Sequence, residues 1–97
     1  MKEVRFHSEA LEELDSILEW YVEAGPKIAV TLGEEIDSII ERIGSNHEQF
    51  PVWNYGARKA VLRRFPYSIY FIERRAVIEI VAIAHGRRDP EYWRNRL

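Results

Sequence analysis

The apolar residues of this 97-residue chain change their period once, and that change limits what it can fold into. Between Ala10 and Ile43 they recur three and four positions apart, the spacing of one helix face. Ala10, Leu11, Leu14, Ile17, Leu18 and Tyr21 form a first stripe. Ser8 is placed to cap its start, and Glu9, Glu12 and Glu13 sit where the helix dipole favours acids. Gly25-Pro26 stops that helix and starts the next. Ile28, Ala29, Leu32, Ile36, Ile39, Ile40 and Ile43 form the second stripe, which Gly44 ends. So short a break predicts an antiparallel helical hairpin.

From Ala57 the pattern is extended. Ala60–Arg64, Tyr67–Ile72 and Ala76–Ala84 are rich in β-branched and aromatic residues, with Arg74-Arg75 as the turn between the last two. The final run is apolar on both faces, which predicts a central strand. Before the hairpin, Lys2–Phe6 alternates and reads as an edge strand. Ser45–Gly56 has no period, and its Phe50-Pro51-Val52-Trp53 reads as an ordered loop. Asp89-Pro90 supplies a cap and a first helical residue for a short C-terminal turn through Tyr92 and Trp93. The order β-α-α-β-β-β predicts one α+β domain over residues 1–97, a helical hairpin packed on an antiparallel sheet.

Composition removes several chemistries. Without cysteine there is no disulfide scaffold, zinc-thiolate site or thiol nucleophile. His7, His47 and His85 share no ligand spacing, and the glycines form no phosphate loop, so no metal and no cofactor is expected. Ser68, His85 and Asp89 make a hydrolytic triad on paper, without spacing that supports it. The longest apolar run, Ile80–Ala84, is far short of the roughly 20 residues of a membrane helix. The opening Met1–Arg5 has no signal-peptide character, so no membrane contact and a cytoplasmic location are expected.

Charge is divided along the chain. Residues 1–48 hold twelve acids against four bases, and residues 49–97 hold four acids against ten bases. The halves either compensate each other or present surfaces of opposite sign to partners. In the basic half Arg58, Lys59, Arg63, Arg64, Arg74, Arg75, Arg87, Arg88, Arg94 and Arg96 interleave with Tyr55, Tyr67, Tyr70, Tyr92 and Trp93. Guanidinium groups suit phosphate and aromatic faces suit exposed bases, but the same residues also serve as a solvated sheet face over an aromatic core. His85, at a strand end before Gly86, is placed either for acid–base work or for a structural hydrogen bond.

Two segments are specific. Arg64-Phe65-Pro66-Tyr67-Ser68-Ile69-Tyr70-Phe71 is followed, about a dozen residues later, by His85-Gly86-Arg87-Arg88-Asp89-Pro90-Glu91-Tyr92-Trp93. With the opening strand, the helix carrying Trp20-Tyr21, the second helix and the strand meander, the whole chain resembles the RelE/ParE superfamily of bacterial type II toxins. The resemblance implies a toxin, of the kind associated with plasmid stabilisation and growth inhibition. It implies a cognate antitoxin whose C-terminal segment wraps the toxin. Operator DNA would be touched only indirectly, through that antitoxin.

The two branches of the superfamily imply different sites. RelE-like members cut messenger RNA on the ribosome by attack of the 2′-hydroxyl, which needs a base, an acid and cations for the phosphorane charge. Carried over, Lys59, Arg88 and Tyr92 match parts of that set, with His85 as in histidine-using relatives. Ser68 stands where RelE-like members have an arginine after the third-strand tyrosine, and a second basic position falls on Val61. ParE-like members lack that set and poison DNA gyrase. The long hairpin, the F-P-Y strand and the H-G-R-R-D ending are closer to them, and this branch is favoured. It implies target contacts at Arg87, Arg88, Arg94 and Arg96, with Tyr92 and Trp93 as anchors, and no catalytic residues. A third reading is an inactive, toxin-like binding partner.

Overall fold

The computed structural model describes Met1–Leu97 throughout. The chain forms β1 (Glu3–Phe6), α1 (Ser8–Ala24), α2 (Pro26–Ser45), a single 3-10 turn at His47–Gln49, then β2 (Arg58–Val61), β3 (Tyr67–Arg74) and β4 (Val77–His85). It closes with a 3-10 segment, Pro90–Arg96, here called the strap. Each expected element is present.

The four strands make one sheet in the order β1-β4-β3-β2, so the two-sided apolar strand β4 is central and β1 lies at an edge. β2 with β3 and β3 with β4 are antiparallel, but β1 runs parallel to β4. The sheet is therefore mixed rather than purely antiparallel, because nothing local in a four-residue strand fixes the direction of its neighbour. The strands are also displaced from their expected limits. The turn between β3 and β4 is Arg75-Ala76, with Arg75 at φ 54, and not Arg74-Arg75.

Helix ends differ from the reading in two places. α1 is capped by His7 rather than Ser8: the His7 backbone is extended and its Nδ1 accepts the Glu9 N–H at 3.1 Å. Gly44 does not end α2, which runs on to Ser45. Glycine suits this position because α2 runs close to the residues that open β1: Lys2 N donates to Gly44 O at 2.9 Å, and a Cβ on Gly44 would crowd Lys2 O at 3.2 Å.

The hairpin covers one sheet face. α2 buries Leu32, Ile36, Ile39 and Ile43 against Ile69, Phe71, Ile78, Ile80 and Ile83, and Ala29 is buried as well. Each large aliphatic residue here contributes about 1.5–3 kcal/mol. α1 is shallower, with Ala10 alone fully buried and Leu14, Ile17, Leu18 and Tyr21 half-buried. The strap covers the other face, where Trp93 packs with Tyr70, Ala57, Val81, Ala82 and Ala84. β4 serves both layers through a bulge. Tyr70 opposes Ala82 and Phe71 opposes Ile80, leaving Val81 as the extra residue.

Candidate functional site

The bulge creates an accounting problem that the site solves. β1 ends at Phe6, and the His7 N–H makes the last backbone bond along that edge, to Ile80 O at 2.9 Å. β4 continues past it, and buried backbone groups there need partners. Two side chains replace the missing strand: Arg96 Nη1 donates to Val81 O at 2.9 Å, and Ile83 N donates to Glu13 Oε1 at 3.0 Å.

Glu13 and Arg96 also pair with each other. Arg96 Nη1 lies 3.0 Å from Glu13 Oε1 and Nη2 lies 3.1 Å from Oε2, a two-pronged contact whose side chains are only 8% and 15% exposed. Tyr92 donates its hydroxyl to Glu13 Oε2 at 2.8 Å. Arg88 stacks on the Tyr92 ring at 3.5 Å and stands 3.9 Å from the same carboxylate. Burial, then the Glu13 hydrogen bond, pushes the Tyr92 phenol far above its usual value, so it stays protonated. Burial works against the Arg96 charge, but the Glu13 hydrogen bonds and field outweigh it and raise its pKa. Glu13, expected from the sequence only as a dipole-favoured acid of the first helical turn, is the centre of this end of the molecule. It carried a signal: with Ala10 and Ile17 it lies on one helical face, an acid inside an apolar stripe.

Two further clamps hold the strap. Tyr55, in the loop before β2 at φ 59, donates its hydroxyl to Glu91 at 2.8 Å while Arg94 lies over its ring at 4.3 Å. Arg74 on β3 donates to the carbonyls of Arg96 and Leu97 at 3.3 and 3.4 Å. Asp89 caps the segment as expected, its Oδ1 accepting the Glu91 N–H at 2.9 Å.

The sequence candidates therefore separate. Arg88, Tyr92 and Arg96 gather around Glu13. His85 is exposed at the end of β4, and its Nδ1 accepts the Arg87 N–H at 3.1 Å. Arg87 is exposed and in no ion pair, and Arg94 is exposed but lies over Tyr55 and 3.5 Å from Glu91. Lys59 stands apart on β2, with β3 between it and β4, its ammonium over Trp53 at 4.3 Å. Trp93, expected as a surface anchor, is 0% exposed and is the core of the strap. Its Nε1 finds no hydrogen-bond partner, at a cost of about 1–3 kcal/mol that burial of the ring offsets. The paper triad does not assemble. Ser68 opposes Ala84 while Tyr67 opposes His85, so Ser68 and His85 project from opposite faces, and Asp89 is committed to its cap. No three His, Asp or Glu side chains gather closely enough to hold a metal ion. No helix is long and apolar enough to cross a membrane.

A sheet ordered β1-β4-β3-β2 under a helical hairpin, closed by a basic C-terminal segment, defines the RelE/ParE class of small toxins. Within that class, the family model described as "ParE toxin of type II toxin-antitoxin system, parDE" matches residues 4–90. The chain belongs to the ParE toxin family. It is similar to a solved chain of the "Chromosomal ParDE TA system from P. aeruginosa", at 26% identity and a TM-score of 0.75, over 88% of this chain and 96% of that one. No curated protein matches it by sequence. Beyond Pro90 the strap lies outside the matched residues.

Proposed function

We propose that this chain is the growth-inhibiting toxin of a ParDE-type pair, that it acts on DNA gyrase as a binding inhibitor, and that a cognate antitoxin neutralises it. Membership of the ParE family carries the reading. The site's chemistry supports it. A ribonuclease of the RelE type needs a free base and several cations around one phosphate. Here Tyr92 is held protonated on Glu13, the Arg96 guanidinium is paired, and Lys59 lies across the sheet. The target contacts are assigned to Arg87, Arg88 and Arg94 with the exposed edge of Tyr92. Arg96 and Trp93 hold the surface that presents them.

The antitoxin reading draws on the hairpin. Leu11 and Val22 of α1 and Ile28 and Val30 of α2 are exposed apolar residues on a helical pair bordered by acids, the surface an amphipathic segment would cover. Antitoxin contact would place the chain near operator DNA only indirectly. A cytoplasmic site of action follows from either target.

The test is a supercoiling assay with purified gyrase and purified chain. Inhibition that is relieved by the cognate antitoxin and weakened by Arg87→Ala/Arg88→Ala is expected. The RelE-like alternative keeps one supporting observation, the convergence of His85 and Arg88 on an open cleft of about 510 Å³ beside Glu13. Undisturbed supercoiling with cleaved messenger RNA in a translation extract would select that alternative. Undisturbed supercoiling with intact messages would select the inactive-partner reading.

A further inference from the structure

A further surface, which shares Arg87 with the proposed target contacts, lies at the end of the sheet where β3 begins and β4 ends. The turn before β3 and the turn after β4 are tied there by Gly86 N donating to Pro66 O at 2.8 Å. A chain of aromatic rings runs into this end from α1. Trp20 meets Tyr21 at 4.9 Å, Tyr21 meets Phe65 at 5.4 Å and Tyr67 at 6.2 Å, and Tyr67 meets His85 at 5.5 Å. Trp20 itself is 63% exposed, which is unusual for the largest apolar side chain on a helix.

Arginines border these rings on both sides. Arg63 and Arg64 precede Phe65, and Arg87 follows Gly86. All three are exposed, and none of their guanidinium groups belongs to an ion pair, whereas Arg74, Arg88, Arg94 and Arg96 each have a carboxylate within 4.0 Å. The nearby Glu35 carboxylate is already occupied by the backbone N–H groups of Arg63 and Arg64. The result is an exposed tryptophan joined through Tyr21 to Phe65 and to a sheet end whose two turns carry three guanidinium groups outside any ion pair, and tryptophan and arginine are the residue types that dominate protein-interface hot spots.

We infer that this end docks a short, carboxylate-rich segment of a partner protein carrying an apolar anchor, with Trp20 and Phe65 receiving the anchor and Arg63, Arg64 and Arg87 receiving the carboxylates. Charge distribution favours a short acidic peptide over nucleic acid. Arg63 and Arg64 share a cleft with Glu34 and Glu35 of α2, and Glu19 and Glu23 stand one and three positions from Trp20 on α1, so an extended phosphate backbone would run onto like charge.

The test is direct binding, which does not depend on toxicity. Anisotropy of a fluorescent glutamate-rich peptide with a central leucine pair is followed at physiological salt, with circular dichroism melting as the fold control. Wild type binds, and Arg64→Glu, Arg87→Glu and Trp20→Ala are each expected to weaken binding by about tenfold or more. Arg75→Glu makes the same charge change at the opposite end of the sheet and leaves binding within about twofold. Equal loss in Arg75→Glu would reduce the surface to net charge and overturn the inference. So would undiminished binding in Arg64→Glu and Arg87→Glu, or no binding by the wild type. Tighter binding of a single-stranded oligonucleotide of matched charge, lost in the same variants, would replace the acidic peptide with nucleic acid.

Discussion

The helical hairpin covers its face of the sheet with apolar surface: α2 alone sends Ala29, Leu32, Ile36, Ile39 and Ile43 inward at helical spacing. On the opposite face the strap fully buries one apolar side chain, Trp93, and is otherwise held by polar groups from three distant segments, Glu13 on α1, Tyr55 before β2 and Arg74 on β3. Apolar burial is non-directional and tolerates small shifts. Charged hydrogen bonds are directional and fail when one partner is lost. The difference makes the hairpin the permanent half of the fold and the strap the conditional half. The strap also presents Arg94, and Arg88 just before it rests on Tyr92, so the proposed target surface is mounted on the conditional half.

The strongest way to break this comparison is Trp93→Ala, which removes the strap's only core residue and should cost about 3–5 kcal/mol. Hydrogen exchange should show amides of residues 91–97 exposed while α2 and β3 remain protected. Loss of protection in α2 at the same low denaturant concentration would show that the two coverings are one cooperative unit. Glu13→Ala comes next. It leaves Arg96 buried without its partner and Ile83 N without an acceptor, a loss of about 3 kcal/mol measurable by urea unfolding. The conservative Glu13→Gln keeps an acceptor for Ile83 N and should recover part of that loss.

The third prediction concerns pH. The Tyr92 phenol titrates above its unfolded value because of burial and the Glu13 hydrogen bond, and burial raises Tyr67 and Tyr70 as well. Above about pH 10 the unfolded chain therefore releases protons that the folded chain retains. Stability should be flat up to that point and fall as pH rises through it. Tyr92→Phe should make that fall shallower, by about 1 kcal/mol or less at the start of the window. An unchanged slope would separate the strap from the alkaline transition.

The legibility of the sequence follows the same division. The hairpin was readable because a stripe of six or seven apolar residues fixes a helix face, and Gly25-Pro26 marks the joint. β4 was readable as central because it is apolar on both sides. Its parallel pairing with β1 was not, since four alternating residues fit either direction. The bulge at Val81 is masked by the unbroken run Ile80–Ala84; its trace is the step from Ile80 to Ile83, three positions where a regular strand takes two. Trp93 was placed at the surface because a seven-residue 3-10 segment has no period from which to read its inner face. A first-turn position suggests only a dipole-favoured acid at Glu13, whereas its place between Ala10 and Ile17 on one helical face marks it as facing inward. Part of the charge division is internal compensation, as the contacts of Arg96 with Glu9 and Glu13 and of Arg88 with Glu13 show.

The most direct measurement is induction of the chain without antitoxin, with growth and messenger RNA 5′ ends followed over the first minutes. The account predicts arrest with messages intact, and arrest weakened by Arg87→Ala/Arg88→Ala at equal soluble protein. Codon-phased cuts inside translated frames would contradict it, and would return Arg88, His85, Tyr92 and Lys59 to the role of catalysts.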